Sequence, residues 1–310
     1  MKQVLSYIKQ YQTIIIHGHQ RPDGDCYGGQ FGLKSIIEEN FPEKNVYVVV
    51  ETSSYVDFVG KPDIIDDSMY QGALAIIVDT ATKDRISDSR FALAAFTIKI
   101  DHHIDVDAYA DYNVVDTSYP AVSEMMTDFA VSNNLAIGQQ GILALYVGMI
   151  TDTGRFRYRG VSKRTHMMAG HLVGLGVDVE DIDKKLSSES LQMMSLKGYV
   201  YSNFKTTPGG FIYVTMPKSV YETFGVSSEE AASIVNILGG IEGYPVWAIF
   251  IEYEAEIRVR LRSNGPNINE LANQFEGGGH AKAAGARIHS WDDVSRFVEA
   301  TELTIKQSQK

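Results

Sequence analysis

Four short apolar runs limit what this chain can fold into. "QTIIIHG", "NVYVVVE", "ALAIIVD" and "FTIKID" are rich in β-branched residues and all lie in the first third of 310 residues. Between the first two stands "GGQFGLKSIIEENF", with apolar residues at helical spacing. Strands separated by helices predict an α/β fold, a parallel sheet with helices on both faces. In open sheets of this kind ligands bind beyond the carboxyl ends of the strands. Three of the four runs lead there into acids or histidines: His19, Asp23 and Asp25 after the first, Asp79 ending the third, and Asp101, His102 and His103 after the fourth. A further acid, Asp152, closes the helical run "ALYVGMITDTGRF". Residues far apart in sequence are thereby expected to converge on one crevice.

The later text reads differently. From "YPAVSEMMTDFAVSNN" to "DVEDIDKKL" it is mostly helical, with "GLGV" as a stop. "SSESLQMMSLKGYVYSNF" reads as one helix behind a serine-rich cap, a bridge between lobes. After it come "GGFIYVTM", "PVWAIFIEYE" and "AEIRVRLRSN", the last two a hairpin, with helices at 227–238 and 291–307. The expected organisation is a catalytic α/β domain over 1–186, a helical linker over 187–205 and a smaller α+β domain over 206–310.

Charge narrows the function. The formal net charge is −11, whereas a protein gripping long nucleic acid by its backbone ordinarily carries a basic surface. Phosphates, if handled, should be few and met by a local cluster of charge or metal. No apolar run approaches the length of a membrane span, the N-terminus lacks the features of a secretory signal, and Cys26 stands alone. A cytoplasmic enzyme without a membrane partner is the expectation.

Two imidazoles and four carboxylates form a donor set for hard or borderline octahedral divalent ions, most simply manganese. Zinc more often recruits thiolates or settles for four ligands. So many carboxylates cannot share a site without cations, and two cations sharing one acid resolve the conflict. Singly these residues are ordinary: "RPDGD" is a common turn, an acid ending a strand commonly caps a helix, and His17 is not required. Their combination is not ordinary.

"HQRPDGD", "VDTA", "DHH" and "TDTG", in this order, resemble the motifs of the DHH phosphoesterase superfamily, and "RVRLRS" followed by "GGGH" resembles the DHHA1 domain. The subgroup resembled is that of stand-alone bacterial nanoRNases that also dephosphorylate adenosine 3′,5′-bisphosphate (pAp). The resemblance implies that His19 and Asp23 hold one metal, that Asp25, His102 and Asp152 hold a second, and that Asp79 bridges them. Two Mn2+ ions per site are implied, with magnesium or cobalt as substitutes. His103 would face the scissile phosphate as a hydrogen-bond donor or general acid. Gly29 stands where the family often has serine, a departure that bears on local loop geometry.

In "RVRLRS" a strand would put Arg258, Arg260 and Arg262 on one face. In "GGGH" the glycines, Gly278 and Gly279 among them, would let backbone N–H groups approach a phosphate, with His280 as a further donor. Arg262, Ser263 and His280 are the expected contacts of a substrate clamp, and Arg155, three residues after Asp152, could reach the same crevice. Arg157 and Arg159 read as surface, and Ser123 and Glu124 as the start of a helix. With the active site in the cleft between the domains, the implied substrates are RNA oligomers of about two to five nucleotides and pAp, cut by two-metal attack of an activated water. The alternatives are a linear or cyclic dinucleotide phosphodiesterase, an inorganic pyrophosphatase and a non-catalytic nucleotide sensor. Oligomeric state is left open, a homodimer included.

Overall fold

In the computed structural model, which describes residues 1–308, the apolar runs become strands of one parallel sheet. The first unit, Met1–Ser187, contains α1 (Lys2–Gln10), β1 (Thr13–His17), α2 (Gly24–Asn40), β2 (Asn45–Val49), β3 (Leu74–Val78), β4 (Phe96–Asp101), β5 (Tyr112–Val115), α3 (Val122–Ser132), α4 (Gln139–Asp152), α5 (Lys163–Gly174) and α6 (Val179–Ser187). The strand order is β2-β1-β3-β4-β5, every pairing parallel. The edge strand β5 was not foreseen from the sequence.

Alternation assigns the two faces. Ile14, Ile16, Leu74, Ile76, Ile98 and Ile100 enter a core shared with residues of α1 to α5. Ile15, Ala75 and Ile77 point the other way, under Tyr70 and Phe91. Those two aromatics are carried by 3-10 turns at Asp67–Tyr70 and Ser89–Leu93. The faces are therefore covered unequally, by α-helices on one side and 3-10 turns on the other. From β1 the chain crosses to β2, then returns to the far side of β1 as β3. The segments leaving β1 and β3 diverge from a switch point, the place where open sheets of this kind bind ligands.

The second unit, Ser188–Lys310, contains α7 (Leu191–Asn203), β6 (Lys205–Thr206), β7 (Phe211–Met216), α8 (Lys218–Thr223), α9 (Ser228–Ser233), β8 (Val246–Glu252), β9 (Ile257–Ser263), α10 (Asn269–Asn273), β10 (Gly278–Gly279), β11 (Ala283–Ile288) and α11 (Asp293–Ser308). Its sheet runs β10-β11-β9-β8-β7-β6, with the expected β8–β9 hairpin. Phe250, Val259 and Leu261 pack toward α10 and α11, and Ile212, Trp247 and Ile249 face the other way. The segment expected to be a linker is part of this unit. Ser190 caps α7 by accepting from Met193 N–H, and Leu196 and Val200 lie buried in the second of those cores. Among the described residues no helix is long and apolar enough to cross a membrane.

Helix α2 carries glycines in its interior although each costs about 1 kcal/mol relative to alanine. The reason is close approach. A Cβ on Gly28 would lie 2.6 Å from Ala144 O on α4 and 2.8 Å from Gly148 Cα. Gly29, where the family often has serine, lies in the helical stretch read from the sequence, and a Cβ there would lie 2.6 Å from Val122 Cγ1 of α3. Backbone atoms cannot yield as a side chain can, so Gly28→Ala should destabilise the protein by about 1–3 kcal/mol through overpacking. Urea denaturation measures this, and an unchanged midpoint would refute the close-approach explanation.

Candidate active site

The residues named from the sequence meet beyond the carboxyl ends of β1, β3 and β4, with two helix termini added. Asp79 follows β3 and is buried, at φ +53° in the left-handed region that a non-glycine residue enters at a cost on the order of 1 kcal/mol. Its Oδ2 lies 3.5 Å from His19 Nε2 and its Oδ1 lies 3.2 Å from His102 Nε2. Asp23 Oδ1 is 3.8 Å from the same His19 nitrogen. Asp25 Oδ2 and Asp152 Oδ2 are 3.7 and 3.4 Å from His102 Nε2.

Local structure aims each group. Asp23 is the N-cap of α2, accepting from Asp25 and Cys26 N–H. Asp25 sits in the first turn of that helix, and its carboxylate accepts from Val122 N–H (2.6 Å) and Ser123 N–H (2.9 Å) at the start of α3. The positive end of α3 therefore holds an acid supplied from elsewhere, and Ser123 does not cap its own helix. Glu124 is buried and takes Arg164 Nε at 2.7 Å, while that guanidinium stacks on Tyr119, 3.4 Å from the ring centroid. Tyr119 O in turn lies 3.2 Å from His102 Nδ1, and Gln20 O lies 2.9 Å from His19 Nδ1. Each carbonyl can only accept, so Nδ1 carries a proton and Nε2 is the ring nitrogen turned toward the acids.

His103 is built otherwise. Its Nδ1 lies 2.8 Å from Asp101 Oδ1, and that oxygen also accepts from the backbone N–H groups of His102 and His103. Asp101 is fully buried beside the equally buried Lys99, whose Nζ is 3.6 Å from Asp101 Oδ2 and donates to Ala81 O and Asp107 O. Neither Lys99 nor Asp101 was assigned a role from the sequence. A lysine inside a strand with apolar neighbours was the available signal. Cys26, set aside as solitary, is also drawn in: its sulfur falls with donor atoms of His19 and Asp79 within 4.8 Å of one another.

The electrostatics suit cations. Burial, then Asp79 and Asp152, push the Asp25 carboxyl well above its usual range. Burial and Asp79 push Asp152 up to about 6. Burial opposes charge on His102, yet Asp79, Asp25 and Asp152 bring it up to about 10. His19 is likewise raised by Asp23 and Asp79 against its burial. His103 is raised chiefly by its hydrogen bond to Asp101. Burial pushes the Cys26 thiol up to about 11. Acids that resist ionisation and imidazoles that attract protons both report a surplus of negative charge. The inward Nε2 atoms and the buried Asp79 Oδ1, which no donor satisfies, form a donor set that fits divalent metal.

Comparison with known proteins gives the family. Residues 13–149 match the N-terminal domain of the DHH family, and residues 209–307 match the DHHA1 domain. The chain is 37% identical over 308 residues to "Bifunctional oligoribonuclease and PAP phosphatase NrnA" of Bacillus subtilis, covering 98% of each chain. It is 35% identical to the protein of the same name from Mycoplasma genitalium, covering 96% of this chain and 95% of the other. The chain belongs to the DHH family. A crystal structure of an exopolyphosphatase-related protein from Bacteroides fragilis shares its fold, with a TM-score of 0.86 at 24% identity, over 99% of this chain and 95% of that one.

Outside the acid cluster, the DHH chain departs from several expectations. Arg155 is engaged by Asp183 (Nε to Oδ1, 2.9 Å) and Ser187 Oγ (2.7 Å), so its guanidinium is held by α6. Arg157 and Arg159 are exposed, as expected. In the DHHA1 domain the three arginines of β9 do share one face. Glu229 and Glu256 pair with Arg258, and Glu229 lies 3.5 Å from Arg260. Arg262 has no carboxylate within 4 Å among the described residues and donates to Leu261 O at 2.9 Å. Ser263 is buried, donating to Pro266 O and accepting from Gly265 N–H, so its hydroxyl closes a turn and is not presented to a ligand. Gly278 and Gly279 form β10 and pair with β11 instead of making a free nest. Gly279, at φ +135°, leaves no room for a Cβ, which would lie 2.7 Å from Ala283 O. His280 is exposed, and its backbone N–H donates to Ala283 O.

His17 stays out of the site. It is fully buried on the 3-10 face with Nε2 3.3 Å from Tyr70 Oη, and burial lowers it to about 4. A histidine that resists protonation when folded binds fewer protons than the unfolded chain, whose value is near 6.5. Its contribution to stability is complete above pH 6.5 and is lost as pH falls toward about 4. The loss is on the order of 3 kcal/mol. In His17→Gln the fall in urea-denaturation free energy across that window should be shallower than in the native protein. Parallel curves would show that His17 is not the acid-sensitive group.

Proposed function

We propose that this DHH protein hydrolyses RNA oligomers of about two to five nucleotides to mononucleotides and removes the 3′-phosphate of pAp, using two divalent cations, manganese by the donor set. The observation that carries the reading is the single buried carboxylate of Asp79 with one oxygen toward His19 and the other toward His102. Two relatives named as oligoribonuclease and PAP phosphatase, similar over nearly their whole length, support the substrate class. A net charge of −11 supports short substrates over long ones.

His19, Asp23 and Asp79 would hold one cation, and Asp25, His102, Asp152 and Asp79 the other. When bound, such a pair supplies an acidified water and neutralises charge on the phosphoryl group. The chain's own residues do the rest. Gln20 O and Tyr119 O keep the two ligand histidines in the tautomer that offers Nε2. Asp101 fixes the His103 ring through Nδ1–H and favours its protonated form, leaving Nε2–H to donate to the departing oxygen. Against its burial, the hydrogen bond from His103, with buried Lys99 3.6 Å away, holds the Asp101 carboxyl below its usual range. In the DHHA1 domain Arg262, the arginine of its strand without an acid partner, anchors a terminal phosphate or base, with exposed His280 beside the β10–β11 turn as a second donor.

Asp79→Ala should abolish hydrolysis and lower affinity for both cations while circular dichroism stays native, because the shared ligand is gone. His103→Ala should keep manganese binding in calorimetric titration and lose turnover, whereas His102→Ala should lose one cation. Equal metal loss in the two histidine variants would overturn this division of labour.

Substrate length provides a separate test. Initial rates over a ladder of RNA lengths at two salt concentrations should fall from dimers to long chains. The salt dependence should be shallow, since each contacted phosphate contributes only about 0.7 to the log–log slope for single strands. Arg262→Ala should raise KM for short oligomers more than for a phosphodiester without a terminal anchor. A rate that climbs with length would identify a long-chain nuclease instead.

A further inference from the structure

The ring of His102 is set from behind by a loop carbonyl, Tyr119 O, 3.2 Å from Nδ1. The loop that carries it joins β5 to α3 and is tied to the end of β4, because Asp116 N–H donates to Asp101 O at 3.0 Å. Ser118 N–H then donates to Asp116 Oδ1 at 2.9 Å. Those bonds fix the start of the loop and leave Tyr119 to be held from elsewhere.

Arg164, near the start of α5, holds it on two sides. Its guanidinium covers the Tyr119 ring, 3.4 Å from the centroid, and its Nη2 donates to Ser118 O, in the peptide just before Tyr119, at 2.8 Å. The far end of the ring is anchored on α3, where Tyr119 Oη donates to Asp128 Oδ2 at 2.5 Å. Arg164 is itself fixed by the fully buried Glu124, which takes Nε at 2.7 Å. Among the described residues Glu124 is its one carboxylate partner within 4 Å, so Arg164 pairs with none of the acids that face the cation positions. A flat face and two N–H groups aimed at different partners are what arginine supplies. Lysine, a compact ammonium, supplies the charge without the face.

We propose that Arg164 is a positioning residue: by clamping Tyr119 it holds the carbonyl that orients His102, and so sets the affinity of the cation position at Asp25, His102 and Asp152. The position at His19 and Asp23 is independent of it, because His19 Nδ1 is held by Gln20 O. Partners one step behind a metal ligand change metal affinity by about 10- to 100-fold. This inference rests on the two-cation reading above and adds to it a residue of α5 that is not itself a ligand.

Arg164→Lys in the full-length protein tests it, since the charge opposite Glu124 is kept and the flat face is lost. Calorimetric titration with manganese should show binding weakened about tenfold or more at the position that His102→Ala removes, and changed less than about twofold at the other. A second readout needs no metal. In metal-free protein labelled with nitrogen-15 histidine, the Nδ1–H of His102 should exchange with solvent about tenfold faster in the variant than in the native chain. Tyr119→Leu, which keeps the carbonyl and removes the ring, should produce the same two changes. Native manganese affinity or native exchange in Arg164→Lys, or equal weakening of both positions, would overturn the positioning role and leave the two-cation reading standing. A native protein that takes up fewer than two manganese ions would overturn the two-cation reading and this inference with it.

Discussion

The carboxylate of Asp79, buried in a left-handed turn between two imidazoles, is the charge around which the first unit is arranged. A buried acid needs compensation, and neighbouring Asp25 and Asp152 make the need greater. The fold answers in part with its own dipoles. Asp25 is seated on the free N–H groups of α3, where a negative charge is favoured. Asp152 ends α4, where the helix dipole opposes a negative charge. That asymmetry leaves a deficit of positive charge at the spot where Asp25, Asp79 and Asp152 turn toward His102, which is what a cation would supply.

The two adjacent histidines show how a buried partner assigns chemistry. His102 donates Nδ1–H to a neutral carbonyl, which turns Nε2 toward Asp25, Asp79 and Asp152. His103 donates Nδ1–H to the Asp101 carboxylate, a bond that draws the ring toward its charged form and leaves its other nitrogen free to donate. The residues are neighbours of one type. They differ in what faces Nδ1 and in burial, His103 being the more exposed of the two.

In the second unit the decisive term is neutralisation. Three guanidinium groups stand on one strand face, and a groove of about 420 Å³ beside them is lined by Arg258, Arg260, Arg287, Glu276, Gly277 and Gly278. Glu229 and Glu256 take up Arg258, Arg260 and Arg287, and screened pairs of this kind contribute little net attraction to an anion. Among the described residues Arg262 has no acid within 4 Å, so one arginine of the row is singled out by what the others touch.

The sequence by itself determined the strands of the parallel sheet, the arrival of acids and histidines at their carboxyl ends, the arginine face of β9 and the hairpin that carries it. Each follows from short-range periodicity and from the rule that parallel strands deliver their C-terminal residues to one edge. Only the tertiary structure decided who faces whom. It turned Arg155 to Asp183, folded Ser263 into its own turn, set Gly29 against Val122, packed α7 into the second unit, and brought Cys26 and Lys99 to the site. A side chain's role depends on partners tens of residues away, and hydrogen bonding and charge pairing act through space at a few Å. Local sequence pattern carries no record of those distances.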